Sequence, residues 1–214
     1  LAPSINSLSR TRTYPQERRV HRERPRIGVL ICNCGVNIGG VVDVPRVRAC
    51  AGSLPYVVHA EETLFACAQD SQQRIRERIA EHRLNRVVVA ACTPRTHEAL
   101  FRETIREAGL NGFLLEMANI RDQCSWVHQG EPEKATRKAM DLVRMAASKA
   151  RLSEPLFRTE LEVEPSALVV GGGAAGLVCA LSIAGQGFGV HLVEATGELG
   201  GNARRLSSTL GGAD

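Results

Sequence analysis

IGVLICNCG, residues 27–35, combines an apolar run with two cysteines and a glycine. An apolar run of this length, without alternating polar residues, is typical of a strand covered on both faces in a parallel sheet. The loop after the run carries Cys34 and Gly35, and glycine allows a backbone to approach a ligand closely. The stretch therefore predicts a central strand, residues 27–32, that ends at a cysteine-bearing loop.

Three further runs repeat this arrangement along the chain. TLFAC (63–67) and RVVVAAC (86–92) also end in cysteine, and FLLEM (113–117) is followed seven residues later by Cys124. Helix-like segments lie between the runs and after the last one. Strands that alternate with helices indicate an α/β fold with a parallel sheet, which we place at residues 27–150.

Five cysteines lie at or after the predicted strand ends. They are Cys32, Cys34, Cys67, Cys92 and Cys124. Because the carboxyl ends of parallel strands share one edge of a sheet, these thiols are expected to meet there as a metal or redox centre. Their spacing matches neither the usual zinc pairs nor the close repeats of ferredoxins, so burial as small apolar side chains is the alternative. Cys50 and Cys179 are expected to pack inside helices.

Composition and cysteine usage bound the class of protein. With 43% hydrophobic residues the chain can bury a core, and no apolar run reaches the roughly 18 residues of a membrane helix. The first residues lack the apolar segment of a signal peptide. Seven cysteines, an odd number, favour metal-binding or catalytic thiols in a reducing compartment over a disulfide framework. We therefore expect a cytoplasmic protein without a membrane span.

Positive charge is concentrated at the start of the chain. Residues 1–26 contain seven Arg and two Glu, a balance of +5. Removing these from the totals of 27 basic and 23 acidic residues leaves −1 for the remainder. Such a segment is typical of a solvated, disordered tail, and we expect no nucleic-acid partner.

A second α/β segment opens with the glycine motif G-x-G-x-x-G. The motif directly follows a strand-like run at 167–170 and directly precedes a helix, which is the context that dinucleotide binding requires. Its glycines allow a tight turn, close approach of a pyrophosphate, and close packing of the helix, whose N-terminus favours phosphate. The predicted contacts in this turn are Gly171, Gly173, Ala174, Ala175 and Gly176.

Residues after the second strand of this segment indicate which nucleotide binds. Glu194 ends the strand, where a carboxylate accepts hydrogen bonds from ribose hydroxyls and disfavours the 2′-phosphate of NADP. Gly200 and Gly201 in ELGG favour FAD over NAD. A complete nucleotide-binding domain needs further strands, so we expect the chain to be a piece of a longer protein. We place the opening of an FAD-binding domain at 166–214.

A long predicted helix and a linker separate the two segments. The helix spans residues 132–152 and begins with a proline, as is common at the first helical position. Residues 151–165 are predicted as the linker.

Several stretches of the chain resemble HdrA, the A-type component of heterodisulfide reductases, and its relatives. They are ICNCGVNIGGVVDVP, VVVAACTPRTHEALFRETIREAGLN, LLEMANIRDQCSWVH, and GGGAAG followed by ELGGNARRL. The resemblance runs from about residue 26 to residue 206. It implies an iron–sulfur flavoprotein whose N-terminal cysteine domain holds a [4Fe-4S] cluster and precedes a thioredoxin-reductase-like FAD domain.

The resemblance also implies a role and partners. In the family, FAD takes an electron pair from a hydrogenase or formate dehydrogenase and splits it between ferredoxin and partner subunits. Those subunits reduce a disulfide such as CoM-S-S-CoB, which makes the HdrA-like chain an oxidoreductase component of a hetero-oligomer with no substrate residues of its own.

The ligand set and two rival functions stay open at this stage. Five matching cysteines exceed the four corners of a cluster, and we favour Cys67, Cys92 and Cys124 with one of Cys32 and Cys34. One rival is an FAD-dependent disulfide reductase of thioredoxin-reductase type, although Cys179 has no partner cysteine nearby in sequence. The other is a zinc-stabilised docking module at residues 27–150.

Overall fold

The computed structural model describes residues 12–157 and 159–208. The chain divides into two units, residues 1–157 and residues 158–214, and each contains its own parallel sheet. The predicted α/β class is confirmed. The division falls inside the predicted linker.

Strands and helices alternate throughout the first unit. In chain order they are β1 (Ile27–Cys32), α1 (Val44–Gly52), β2 (Val57–Thr63), α2 (Gln69–Glu81), β3 (Arg86–Ala91), α3 (Pro94–Glu107), β4 (Leu115–Asn119) and α4 (Pro132–Leu152). All four strands are parallel, in the order β2-β1-β3-β4. Helix α1 packs against α4, and α2 packs against α3. This is a doubly wound sheet with β1 and β3 at its centre.

The central strands explain why their sequences are apolar throughout. Every residue of β1 and β3 is buried, because both faces of these strands are covered. Helix α4 has the predicted bounds, and small residues form its buried face. These are Ala135, Ala139, Val143, Ala146 and Ala150. Their spacing of three and four residues is that of one face of a helix, and small side chains allow close packing.

Two predicted strands are displaced from their actual positions. The strand placed at 63–67 is in fact β2, Val57–Thr63, and the more apolar residues after Thr63 form a loop. Because β2 is an edge strand, its sequence VVHAEET carries charged residues, and it therefore lacks the continuous apolar run by which the other strands were recognised. Strand β4 begins two residues later than predicted, because Gly112–Leu114 form a 3₁₀ turn capped by the Asn111 side chain.

Residues 12–26 differ from the disordered tail that was expected over 1–26. They form no helix or strand, yet Val20 is fully buried. The Arg18 guanidinium donates to the Leu84 carbonyl at 2.6 Å, and that of Arg26 donates to the His82 carbonyl at 2.7 Å. His82 is the C-cap residue of α2, at a helix end where carbonyl groups lack helical partners and favour positive charge. The rest of the predicted tail, residues 1–11, lies outside the described residues.

The edge strand β2 carries a carboxylate that ties it to α2. Glu61 is 16% exposed and accepts a hydrogen bond from Arg78 Nε at 2.7 Å. His59 Nε2 lies 3.0 Å from the same carboxylate. Burial opposes ionisation of Glu61, but the hydrogen bonds from Arg78 and His59 outweigh it and lower its pKa from the ordinary 4.5. The ionised carboxylate therefore stabilises the unit.

We expect Glu61→Gln to lower the free energy of unfolding by about 1.5 kcal/mol at pH 7, because it weakens a charged hydrogen bond at a partly exposed site. A carboxylate with a lowered folded pKa contributes above its unfolded pKa and loses the contribution as pH falls through the folded value. The difference from wild type should therefore shrink below about pH 4.5. Denaturant unfolding at pH 7 and pH 4 measures it.

Glu77→Gln is the matched control, since Glu77 is an exposed residue of α2 whose carboxylate accepts a hydrogen bond from Gln73. Equal losses of unfolding free energy in the two variants would show that the hydrogen bonds of Glu61 do not provide the expected stabilisation.

The second unit has the predicted strand–turn–helix–strand order. It consists of β5 (Ser166–Val170), α5 (Ala174–Gly185) and β6 (Gly189–Val193), with β5 and β6 paired in parallel. Apolar side chains of this unit are largely exposed, including Val170 at 78% and Leu181 at 72%. Two strands and one helix provide too little surface to cover them. Among residues 12–157 and 159–208, no helix has the length and apolar character needed to cross a membrane.

Candidate metal centre and nucleotide-binding turn

The strand order of the first unit brings cysteines together at the carboxyl ends of the two central strands. The chain leaves β1 for β2 on one side and leaves β3 for β4 on the other, so the order reverses between β1 and β3. Ligands of doubly wound folds bind in the crevice at the carboxyl ends of the strands at such a reversal. Cys32 is the last residue of β1, and Cys92 directly follows β3.

Four of the five candidate thiols line one small cavity at this reversal. The cavity has a volume of about 40 Å³. Its cysteines are Cys32, Cys34, Cys67 and Cys92. They come from the end of β1 and from the loops after β1, β2 and β3, and the remaining wall consists of Ala66, Ala91, His97, Phe101 and Arg121. Thiols far apart in the chain therefore line one cavity, and their role as a metal or redox centre stays a prediction.

Backbone hydrogen bonds hold the loop after β1 against the loop after β2. Asn33 N–H donates to the Thr63 carbonyl at 2.8 Å, and Cys34 N–H donates to the Leu64 carbonyl at 2.9 Å. Cys34 itself adopts a left-handed conformation with φ 47°, which is uncommon for a residue other than glycine. Backbone N–H of Ala66 donates to the Cys32 sulfur at 3.3 Å. These bonds place the cysteines of the two loops around the cavity.

Burial keeps the inner thiols of the cavity protonated. It raises the pKa of Cys32 to about 11, and it also raises the pKa of Cys92. The nearby Cys34 and Cys67 thiols add to both shifts, whereas Arg121 lowers the pKa of Cys92. Thiols of this kind are weak nucleophiles at neutral pH but become thiolates when a metal binds. Their environment therefore disfavours disulfide exchange, and a metal that binds there has to displace the thiol protons.

Cys124 lies elsewhere, contrary to the favoured ligand set. It is fully buried in a π-helical turn, Arg121–Ser125, and its thiol donates to the Ala135 carbonyl of α4 at 3.0 Å. The turn follows the edge strand β4 and directs this thiol toward α4 instead of the reversal point. The thiols that line the cavity thus include both Cys32 and Cys34 and do not include Cys124, whereas the favoured ligand set had Cys124 with only one of Cys32 and Cys34.

The other two cysteines also lie outside the cavity. Cys50 is partly buried in α1, and Cys179 of α5 is exposed among the described residues of its own unit, where packing was expected.

Arg121 is a cavity residue that the sequence analysis missed. Its guanidinium lies over the Trp126 ring, with Cζ 4.7 Å from the ring centroid, and its Nε donates to the Asp122 carboxylate at 3.2 Å. The available signal was its position in the loop after β4, at the same sheet edge as the cysteines.

The donor set fits a metal that prefers sulfur. Four thiolates suit an iron–sulfur cluster or a tetrahedral zinc ion. In the described ranges, no three Cys, His, Asp or Glu side chains are already arranged as a metal-binding group. A volume of about 40 Å³ holds about one water molecule, so the cavity has to widen to hold a cluster.

The glycine motif of the second unit forms a tight turn between β5 and α5. Gly171 has φ +106°, which favours glycine. A Cβ on Gly176 would lie 1.8 Å from the Gly171 carbonyl oxygen, so a side chain there is excluded unless the backbone moves. The Gly200 N–H donates to the Gly172 carbonyl at 2.7 Å, and Gly173 and Gly200 form a parallel bridge. The two glycine segments singled out from the sequence are therefore adjacent.

Glu194 also contacts this turn. Its Oε2 accepts the Gly172 N–H at 2.6 Å, and its Oε1 accepts the Thr196 N–H at 3.0 Å. These backbone donors, with Gly172 the largest contributor, lower the pKa of Glu194. The carboxylate is thus held ionised beside the turn, and its hydrogen bonds connect β6 to the glycine motif.

Known proteins resemble this chain in both units. The family model for an NAD(P)-binding Rossmann-like domain matches residues 169–212. The HdrA component of the H2:CoB-CoM heterodisulfide,ferredoxin reductase of Methanothermobacter thermautotrophicus is 52% identical over 187 residues, which is 87% of this chain and 28% of that protein. An HdrA iron-sulfur subunit of the CoB–CoM heterodisulfide reductase of Methanopyrus kandleri is 53% identical over 184 residues, 86% of this chain and 28% of that protein.

The chain belongs to the HdrA family of heterodisulfide reductase subunits. An HdrA-like protein of Archaeoglobus profundus is 51% identical over 87% of the chain, so the similarity includes residues of both units. The chain spans about 28% of the length of the curated HdrA proteins that it matches. The cysteine cavity and the glycine turn are therefore features of one part of an HdrA protein.

Proposed function

We propose that this chain is an electron-transferring part of a heterodisulfide reductase-type oxidoreductase. In this proposal Cys32, Cys34, Cys67 and Cys92 hold a [4Fe-4S] cluster, and the glycine turn holds FAD. The observation that carries the proposal is the convergence of four thiols, from the end of β1 and the loops after β1, β2 and β3, on one cavity at the reversal of strand order. Such a cluster, when bound, accepts and releases single electrons at a potential set by its protein surroundings.

The surroundings of the four thiols support ligation of a cluster. Three of them, Cys32, Cys34 and Cys92, are attached to the two fully buried central strands, so their positions are set by the sheet. Protein ligands to iron–sulfur clusters are thiolates, and the cavity offers four thiols. The Methanopyrus kandleri relative is named an iron–sulfur subunit, which agrees with this assignment.

The second unit supports FAD as the nucleotide. The tight turn at Gly171, the exclusion of a side chain at Gly176 and the free N-terminus of α5 suit a pyrophosphate. Gly200 and Gly201 lie against the same turn, as the second glycine segment of an FAD site would. FAD exchanges electrons singly or in pairs and can therefore connect a two-electron donor to a one-electron cluster.

Partners follow from the family resemblance. We propose a hetero-oligomer in the cytoplasm, in which a hydrogenase or formate dehydrogenase supplies electrons and ferredoxin and the disulfide-reducing subunits accept them. The name of the Methanothermobacter relative mentions both H2 and ferredoxin.

Analysis of iron, acid-labile sulfide and zinc in the anaerobically purified 214-residue chain tests the cluster. We expect about four iron and about four sulfide per chain. Zinc without sulfide would instead favour a structural docking unit, because four thiolates also suit tetrahedral zinc. FAD retained after gel filtration of a chain of the relatives' full length tests the nucleotide assignment separately.

A further inference from the structure

One cation forms part of the wall of the cysteine cavity. The Arg121 side chain is 19% exposed and borders the cavity together with Cys34 and Cys92. Burial opposes the charged form of the guanidinium, but Asp122, Cys92 and Cys34 outweigh burial and raise the pKa of Arg121. No carboxylate is among the residues that line this cavity. Arg121 is therefore the charged side chain in its wall.

Two residues contact the guanidinium, and each of them is hydrogen-bonded to a neighbouring loop. Its Cζ lies 4.7 Å from the centroid of the Trp126 ring, a cation–π distance. Asp122 Oδ2 accepts from Arg121 Nε at 3.2 Å and also accepts the Thr93 N–H next to Cys92 at 3.2 Å. The Trp126 indole in turn donates to Asn37 Oδ1 in the loop after β1 at 3.3 Å. The arginine is thus held from both neighbouring loops.

The backbone around Arg121 is also specialised. Asn119 Oδ1 accepts the N–H groups of Arg121 at 3.3 Å and Asp122 at 2.9 Å, where β4 ends. The π-helical turn Arg121–Ser125 then begins, and π-helical turns are rare and occur frequently at functional sites. In this turn the Ser125 hydroxyl donates to the Asn37 carbonyl at 2.5 Å. The loop after β4 is therefore bound to the loop that carries Cys34.

We propose that Arg121 tunes the cysteine centre by holding a positive charge beside the sulfur atoms of Cys34 and Cys92. The inference rests on the proposed cluster. Reduction adds negative charge to four thiolates and their metal, and a nearby cation stabilises the reduced form more than the oxidised form. Arg121 thus places a positive charge beside the cluster and raises its reduction potential, and the negative charge of Asp122 reduces this effect of Arg121.

Redox titration of the loaded 214-residue chain, followed by its EPR signal, tests this role. We expect Arg121→Gln to lower the ratio of reduced to oxidised cluster at a fixed potential about tenfold, which corresponds to about 59 mV for a one-electron couple. Asp122→Asn keeps the oxygen acceptor but removes the negative charge, so the ratio should rise. Arg121→Lys should lie between Arg121→Gln and wild type. The matched control is Arg102→Gln, since Arg102 lies over the Phe113 ring at 4.8 Å on α3 and does not line the cavity.

The outcomes separate this inference from the proposed function. A wild-type chain that binds no iron and sulfide contradicts the proposed cluster itself. A loaded Arg121→Gln chain with the wild-type midpoint overturns the role of Arg121 and leaves the cluster standing. If Arg121→Gln folds but binds no cluster, the Asp122→Asn variant provides the test. A midpoint potential unchanged from wild type in that variant also overturns the role of Arg121.

Discussion

Single replacement of Cys32, Cys34, Cys67 or Cys92 by alanine is expected to remove most of the iron and sulfide from the anaerobically purified chain, whereas Cys124→Ala is expected to retain them. Each of the four thiols borders the cavity, and a cubane cluster needs four thiolate ligands. Cys124 instead donates to the Ala135 carbonyl, so its replacement should cost stability, about 1 kcal/mol, and no metal. Metal and sulfide content together with denaturant unfolding measures both effects.

Cys50→Ala provides the control for this series, since Cys50 is a partly buried cysteine of α1 outside the cavity. Far-UV circular dichroism of every variant separates loss of ligand from loss of fold. Loss of iron in Cys124→Ala, combined with full loading of Cys32→Ala or Cys34→Ala, would overturn the assigned set and restore the one favoured from the sequence.

Replacement of Gly176 by alanine is expected to abolish FAD retention in a chain of the relatives' full length. The added Cβ would lie 1.8 Å from the Gly171 carbonyl oxygen, which belongs to the backbone and has no flexible side chain to move away. Helix α5 must then shift from the turn, which displaces its N–H groups and costs about 3 kcal/mol or more. Flavin content after gel filtration and the unfolding free energy report the two consequences.

Gly185→Ala is the matched control in the same helix. Gly185 is the last residue of α5, and among the described residues no atom beyond its chain neighbours and the backbone of its own helix lies within 4 Å of an added Cβ. Alanine there should retain FAD and leave stability unchanged or slightly higher, because it restricts the unfolded chain. Equal FAD content in the Gly176→Ala and Gly185→Ala variants would show that the close approach of α5 to the turn is not required for binding.

The sequence predicted well the strands that are buried on both faces. The central strand β1 has its predicted bounds, and β3 ends one residue before its predicted end, because continuous apolar runs are unambiguous in a doubly wound sheet. Helix α4 also matches at both ends. The edge strand β2 was misplaced because solvent on one side permits charged residues such as Glu61 and Glu62.

The residues of the candidate site were predicted less completely than the strands and helices. Position after a strand indicated that thiols would gather at the carboxyl ends of the strands, and Cys32, Cys34, Cys67 and Cys92 do line one cavity there. It failed for Cys124, because a π-helical turn changes the direction of a side chain and has no strong sequence pattern. Arg121 was missed for a related reason: its role depends on contacts with Asp122 and Trp126 that exist only in the folded turn.

The four cavity thiols differ in exposure, so the cavity is open to solvent on one side. Cys32 and Cys92 are buried at the ends of rigid strands, whereas Cys67 is exposed in the loop after the edge strand. Under the proposed function, an arriving metal or cluster would therefore meet Cys67 first and reach the inner pair last. The same route is open to oxidants, so damage to the centre in air should begin at Cys67, as a thiol oxidised there loses its capacity to act as a ligand. Under the proposed function, the loop that would admit the cofactor is thus also the part of the centre most exposed to oxidants.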